Sequence, residues 1–228
     1  MPRIVDLSLD LYDQAPTYDP DPNTSITPHL QVSDLGYNIT RVDISSHVGT
    51  HLDAPFHFFD EGRTVEDLEL TRCIGPAFVL DLTYKKALEE IRVEDLDGDD
   101  RIQPGCRLIF HTGWYREFAT KRYFSDQPYL GVDSCRWLVD RGVRTIALDM
   151  PTTYPADYMT THHILLGAEM LIIEGLTNLD QLTQDEVVLM ALPLRIRGRD
   201  GSPCRVLAIE GDIDEDFPVF RSTALSPS

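Results

Sequence analysis

His47-Val48-Gly49-Thr50-His51-Leu52-Asp53-Ala54-Pro55-Phe56-His57 carries three imidazoles and one carboxylate at offsets of zero, four, six and ten. The whole chain has only seven histidines, and no other stretch is as dense in metal-ligating and acid-base groups. All four offsets are even, so an extended segment would put the four side chains on one face. At strand rise, however, His47 and His57 would then stand roughly 33 Å apart, too far for one site. A helix fails as well, because Gly49 and Pro55 oppose its continuation. There remains a strand that ends near His47 and folds back through Gly49-Thr50 and Ala54-Pro55, gathering the imidazoles around a common point. Neutral imidazole with carboxylate suits zinc, manganese or iron rather than calcium or magnesium, and no cysteine is near enough in sequence for a thiolate site. A single histidine has many ordinary roles. Three with an aspartate in eleven positions point to a site.

The pattern His-x-Gly-Thr-His-x-Asp-x-Pro-x-His, as it stands from His47 to His57, resembles the signature of the metal-dependent cyclase-like hydrolases, the family of the bacterial kynurenine formamidases and isatin hydrolases. The N-terminal Val5-Asp6-Leu7-Ser8 strand, the Gly142-Val143 to Asp149 strand, the His162-x-x-Leu165-Leu166 run, Glu174 and a closing Pro193 to Arg205 segment follow in family order. The likeness therefore spans nearly the whole chain. It implies an α/β protein with a single-domain swivelling β/β/α cyclase-like fold and a mixed sheet.

The 228 residues, 42% of them hydrophobic, are enough for a full core in one domain. No Gly/Ser linker, repeat or low-complexity block divides them. Residues 1–30 read as an N-terminal strand and substrate loop, and 211–228 as an acidic, then Ser/Pro-containing tail. A formal net charge of −18 repels phosphate backbones and anionic membrane surfaces, so neither nucleic acid nor a membrane is expected as a partner. Cys73, Cys106, Cys135 and Cys204 form no Cys-x-x-Cys pair, the N-terminal residues lack an apolar signal segment, and no apolar run reaches the roughly 20 residues of a membrane span. The expectation is a cytoplasmic protein with free thiols.

Along the chain, Arg3 to Leu9 alternates as a first strand. The proline-rich stretch from Tyr12 to Thr27 reads as a loop, and Asn38 to Ser46 as a strand that delivers His47. Phe56, Phe58 and Phe59 surround His57 with apolar rings, a setting that disfavours imidazolium and keeps a general base available. Gly75 to Thr83 and Arg107 to Thr112 read as buried strands, Lys85 to Glu90 as a helical turn, and His111 as a structural hydrogen-bonding residue. Val132 to Arg141 has helical spacing with Gly142 as its stop, and the next apolar strand follows directly, which argues for a mixed α/β layer architecture. Of the neighbours His162 and His163, one faces the site, since adjacent helical residues diverge by about 100°. Glu174, directly after four apolar residues, needs a metal or partner. Val187 to Arg197 and Cys204 to Glu210 read as paired strands joined by the turn-rich 198–203 connection. Arg195, Arg197 and Arg205 form a basic group read first as neutralising nearby carboxylates.

The resemblance also implies roles. His47 and His51 bind one metal, Asp53 bridges to a second, His162 completes the second ion, and Glu174 serves either or both. Zinc is expected first and manganese as the alternative, with two ions per subunit, activating a water for attack on an amide carbon. His57 stays outside the coordination sphere and carries the proton to the leaving nitrogen. Tyr18 takes the place of the aromatic residue, often Trp, that the family sets against the substrate ring. Thr152 and Tyr154 stand where family members usually carry Ser and Asp. The implied reaction is arylformamidase chemistry, N-formylkynurenine to kynurenine plus formate, in a homodimer or homotetramer. Opening of a cyclic amide or lactone such as isatin is the alternative substrate class, and a structural metal protein or ligand-binding module is the alternative outside enzymes.

Overall fold

The computed structural model describes residues 2–212. In chain order its strands are β1 (Arg3–Asp6), β2 (Ser25–Leu30), β3 (Ile39–Asp43), β4 (His51–Asp53), β5 (Ile74–Asp81), β6 (Glu90–Ile91), β7 (Arg107–His111), β8 (Tyr129–Leu130), β9 (Thr145–Leu148), β10 (Leu171–Glu174), β11 (Glu186–Pro193) and β12 (Gly201–Glu210). Its α-helices are α1 (Val32–Leu35), α2 (Leu70–Cys73), α3 (Val132–Asp140) and α4 (Tyr158–Gly167). One mixed sheet runs β1-β12-β11-β5-β7-β9-β10-β4, and β4 pairs back onto β12, so seven of the strands close into a barrel. The parallel neighbours β5, β7, β9 and β10 are joined by crossovers, the last two through α3 and α4.

These strands read as continuous apolar runs because both of their faces are buried. Ala77, Val79, Ile109, Ala147, Leu171 and Ile173 enter the cluster that also holds Leu52 of β4, Leu189 of β11 and Val206 of β12, and this cluster fills the barrel. The alternate residues Leu80, Leu108, Phe110, Ile146, Leu148 and Ile172 face outward and pack under Leu138 of α3 and Leu165 of α4. The period-two alternation has one consequence for function. With Leu52 and Ile173 inside, His51, Asp53 and Glu174 stand on the outer face, under α4.

Several sequence expectations need adjustment. Asn38 to Ser46 does not join the main sheet: β3 pairs only with β2 in a separate ribbon, and all five of its residues are exposed. Residues 85–89 form turns and no helix. Gly201 to Pro203, read as part of a turn, begins β12 and closes the barrel through the pairs Gly201↔Asp53, Ser202↔Leu52 and Pro203↔His51. β1, β5, β7, β9, β10, β11 and α3 lie where the sequence reading put them, with Gly142 at φ +72° ending that helix, whereas β2, which begins inside the expected loop, and the short β6 and β8 were not expected. Residues 213–228 of the expected C-terminal tail lie outside the described residues.

Candidate metal centre and cleft

The His47–His57 segment folds as a turn, a three-residue strand and a 3-10 turn at Pro55–His57. Its geometry is pinned by Thr50, whose hydroxyl accepts from Leu9 N at 2.8 Å and donates to Gly175 O at 2.5 Å. Gly175 has φ +69°, and a side chain there would run into the Gly49 carbonyl. The motif loop and the exit of β10 are therefore held together by backbone contact.

His51 and Glu174 are register partners across β4 and β10, as are Asp53 and Ile172. Helix α4, capped by Asp157 through Thr160 N, brings His162 down onto the same point. His51 Nε2 lies 3.4 Å from Asp53 Oδ1 and 3.6 Å from Glu174 Oε2, and His162 Nε2 lies 3.5 Å from Asp53 Oδ2 and 3.5 Å from Glu174 Oε1. All four residues are buried. His47 joins through Nδ1, 2.8 Å from Asp53 Oδ1, and stacks on His57 with ring centroids 3.8 Å apart. The five expected ligands and His57 thus converge. His163 points away and packs on Phe59, while His162 stacks on Phe58 at 4.7 Å.

The donor chemistry fits a divalent cation. His51 Nδ1 donates to Gly49 O at 3.0 Å and His162 Nδ1 to Tyr158 O at 2.8 Å, which leaves each Nε2 lone pair aimed at the carboxylates. The four separations of 3.4–3.6 Å are long for hydrogen bonds. They match the edge, roughly 3.4 Å, of a tetrahedron whose donors sit about 2.1 Å from its centre. Glu174 Oε1 is buried with no hydrogen-bond partner, an arrangement that costs about 1–3 kcal/mol or more if nothing else satisfies the group. The donor atoms form two groups that share Asp53: His47, Asp53 and His57, and His51, Asp53 and Glu174.

Without a cation the charges compensate one another. Burial disfavours imidazolium at His47 and His162, but Asp53 with Asp200, and Asp53 with Glu174, outweigh it and raise each to about 10. Burial would raise Asp53 too, yet the charge on His47 and the contacts of His162, His47 and His51 hold it well below the carboxylate range. Burial and the Asp53 charge raise Glu174. His57 behaves oppositely: burial, helped by His47 and His162 against the pull of Asp53, takes it down to about 4. It is therefore neutral, as its apolar surroundings imply.

A cleft of about 950 Å³, counting its open mouth, lies over these residues. Its walls include Phe58, Phe118, Phe124, Tyr158 and Tyr18 from the N-terminal loop. Tyr18 packs edge-on against Phe124 and Tyr158, with centroids 6.1 and 6.3 Å away. Thr152 also lines the cleft, whereas Tyr154 stacks on Tyr129 at 4.2 Å. Sequence reasoning passed over Asp200, whose Oδ2 stands 2.6 Å from His47 Nε2. An aspartate in a Gly/Ser/Pro-rich connection looks like turn chemistry, and only the barrel closure carries it to the site. His111 lies outside the cluster, and its Nε2 is buried without the hydrogen bond expected of it. Arg205 pairs with Asp6, its Nε 2.8 Å from Oδ2, in keeping with charge neutralisation.

Residues 5–154 match the family described as "Putative cyclase". Kynurenine formamidase of Geobacillus thermodenitrificans is 34% identical over 206 residues, covering 88% of this chain and 94% of that protein. The Bacillus thuringiensis kynurenine formamidase is 33% identical over 178 residues, 75% of this chain and 79% of the relative. A solved structure described as a potential metal-dependent hydrolase with cyclase activity superposes at TM-score 0.80 with 28% identity, over 93% of this chain and all of that one. Isatin hydrolase A from Ralstonia solanacearum superposes at TM-score 0.82 over 92% of each chain; at 23% identity it shows a common fold.

Proposed function

This chain belongs to the cyclase family of metal-dependent hydrolases, and from that premise we propose that it is an arylformamidase, hydrolysing N-formylkynurenine to kynurenine and formate. The observation that carries the proposal is the convergence of Asp53, Glu174 and the imidazoles of His47, His51 and His162 beneath a cleft walled by aromatic rings. The curated relatives that match it over most of their length are named kynurenine formamidases. The proposal takes residues 1–228 as one such domain, supported by the pairing of β1, near one terminus, with β12, near the other.

In this reading His47, His51, Asp53, His162 and Glu174 hold the metal, zinc first and manganese second. Two ions are supported by the way Asp53 turns Oδ1 toward His47 and His51 and Oδ2 toward His162. A divalent ion so held lowers the pKa of a water toward neutrality and polarises a carbonyl oxygen. The aromatic walls take the substrate ring, and Tyr18 closes over it from the N-terminal loop. His57 handles the proton. Its imidazole takes the proton from the attacking water and delivers it to the leaving nitrogen as the C–N bond breaks. Water is consumed, and formate and a free aromatic amine leave. The neutral state of His57, set by burial, is what allows it to begin as a base.

A cytoplasmic setting belongs to the proposal, supported by four cysteines that are all free. Among the described residues no helix is long and apolar enough to cross a membrane. A homodimer or homotetramer is also proposed. Its support is the β2–β3 ribbon and its connection, which leave Val32, Leu35, Tyr37, Ile39 and Val42 exposed.

The deciding experiment is elemental analysis of protein purified without added metal, followed by a hydrolysis panel on the same sample. N-formylkynurenine is expected to turn over fastest; isatin and simple lactones are the competitors, since the metal ligands do not encode the acyl group. Metal-loaded protein that opens isatin or lactones but no formamide would overturn the arylformamidase assignment.

A further inference from the structure

We propose that Asp200 is a positioning residue for metal capture: its carboxylate fixes the tautomer and orientation of His47 so that Nδ1 presents its lone pair beside Asp53. The proposal rests on the metal-hydrolase reading above. His47 lies between two carboxylates, Nδ1 2.8 Å from Asp53 Oδ1 and Nε2 2.6 Å from Asp200 Oδ2. A carboxylate only accepts, and a ligating imidazole carries one hydrogen. Hydrogen on Nε2, donated to Asp200, leaves Nδ1 as the ligating nitrogen on the side where the other ligands gather.

This is the reverse of the arrangement at the other two imidazoles. His51 and His162 donate Nδ1–H to the backbone carbonyls of Gly49 and Tyr158 and offer Nε2. His47 alone of the three is backed by a carboxylate, and a negatively charged outer partner raises the basicity of a ligating imidazole more than a neutral carbonyl does.

Asp200 is built to do this. Ser46 Oγ donates to the same Oδ2 at 2.9 Å, and the Asp200 carbonyl accepts from Ala54 N at 2.8 Å. On its N-terminal side Arg199 O accepts from Val65 N at 2.9 Å, and Gly198 N donates to Glu66 Oε1 at 2.6 Å. The next residue, Gly201, pairs with Asp53, and a Cβ there would come within 2.8 Å of His47 Cε1. Four successive residues, the last three of the β11–β12 connection and the first of β12, are thus either anchored to the 54–66 segment or shaped around the His47 ring.

The test compares wild-type, Asp200→Asn and Asp200→Ala proteins, with zinc as the probe. Zinc affinity is read by competition with a chelator, stoichiometry by elemental analysis, and folding by circular dichroism. A loss of about 10–100-fold in zinc affinity in the Ala variant is expected, the usual effect of removing an outer partner of a ligating histidine, with a smaller loss in the near-isosteric Asn variant. In the zinc-loaded wild type, long-range proton–nitrogen spectra should show His47 protonated at Nε2, and His51 and His162 at Nδ1. At saturating zinc both variants should regain most of their turnover. Zinc affinity within twofold of wild type in a folded variant, or His47 protonated at Nδ1, overturns the proposal. So does full zinc occupancy without recovered turnover, which would place Asp200 on the proton path instead. If Asp200→Ala does not fold, Asp200→Asn and the wild-type spectra decide. Failure of the wild type itself to take up zinc or manganese would instead overturn the metal-hydrolase reading on which this one rests.

Discussion

His51 and Glu174 are Cα partners across the β4–β10 ladder, and their side chains meet with Nε2 3.6 Å from Oε2. Strand pairing alone therefore sets this contact, since directly opposed residues on one face of an antiparallel pair are forced into proximity. Replacing Glu174 by Gln keeps the shape and removes the charge. Zinc affinity should fall by at least the 10–100-fold typical of outer partners, with the fold intact by circular dichroism. Unchanged zinc retention would remove Glu174 from the ligand set.

His57 and Asp53 should separate cleanly. His57→Ala is expected to keep its metal and lose about 10²–10⁴ in kcat, the usual worth of a general acid-base group. Asp53→Ala, which deletes the carboxylate shared by both donor groups, should lose metal and activity together. Equal metal loss in the two variants would make His57 a ligand.

Metal uptake should release protons. Without an ion, His47 and His162 are both raised to about 10, so both are charged at pH 7–8 and each must give up one proton to offer a lone pair. About two protons per subunit should appear in solution, and affinity should weaken as pH falls. His57, at about 4, is neutral throughout this range and adds none. Calorimetry in buffers of different ionisation enthalpy reads the count, and a value near zero would contradict this charge state of the cluster.

Tyr18 offers a ring to the wall of the cleft, packed on Phe124 and Tyr158, and is not among the proposed ligands. Tyr18→Ala should raise KM for an N-formyl aromatic amine several-fold, with kcat changed less, because uniform binding is what it supplies. A matching fall in kcat with KM untouched would give Tyr18 a part in the chemistry.

The β2–β3 ribbon is the proposed subunit contact. Val42→Asp with Leu35→Asp should shift sedimentation toward the monomer if these exposed side chains are covered by a second copy, and a wild-type monomer would refute the assembly outright.

Much of the fold was legible because buried parallel strands announce themselves as apolar runs, as Ala77 to Leu82 and Ile146 to Leu148 do. The candidate site was legible in part for a chemical reason, since a carboxylate such as Glu174 directly after Ile173 seldom stands beside an apolar run without a partner, while the roles of the other residues came from the family resemblance. Barrel closure was not, because it depends on a three-residue strand whose partners are distant in sequence. Asp200 was hidden with it. The ribbon misled because Ile39, Val42 and Ile44 have strand character, and local pattern does not say which sheet a strand will join.

The seam between Asp53 and Gly201 is at once the last stitch of the barrel and one edge of the proposed ion site. Chemistry and architecture therefore share a weak point. Substitutions that slacken residues 201–203 should surface as ion-starved enzyme before they surface as unfolded protein, and a screen that scores solubility alone would pass them as healthy.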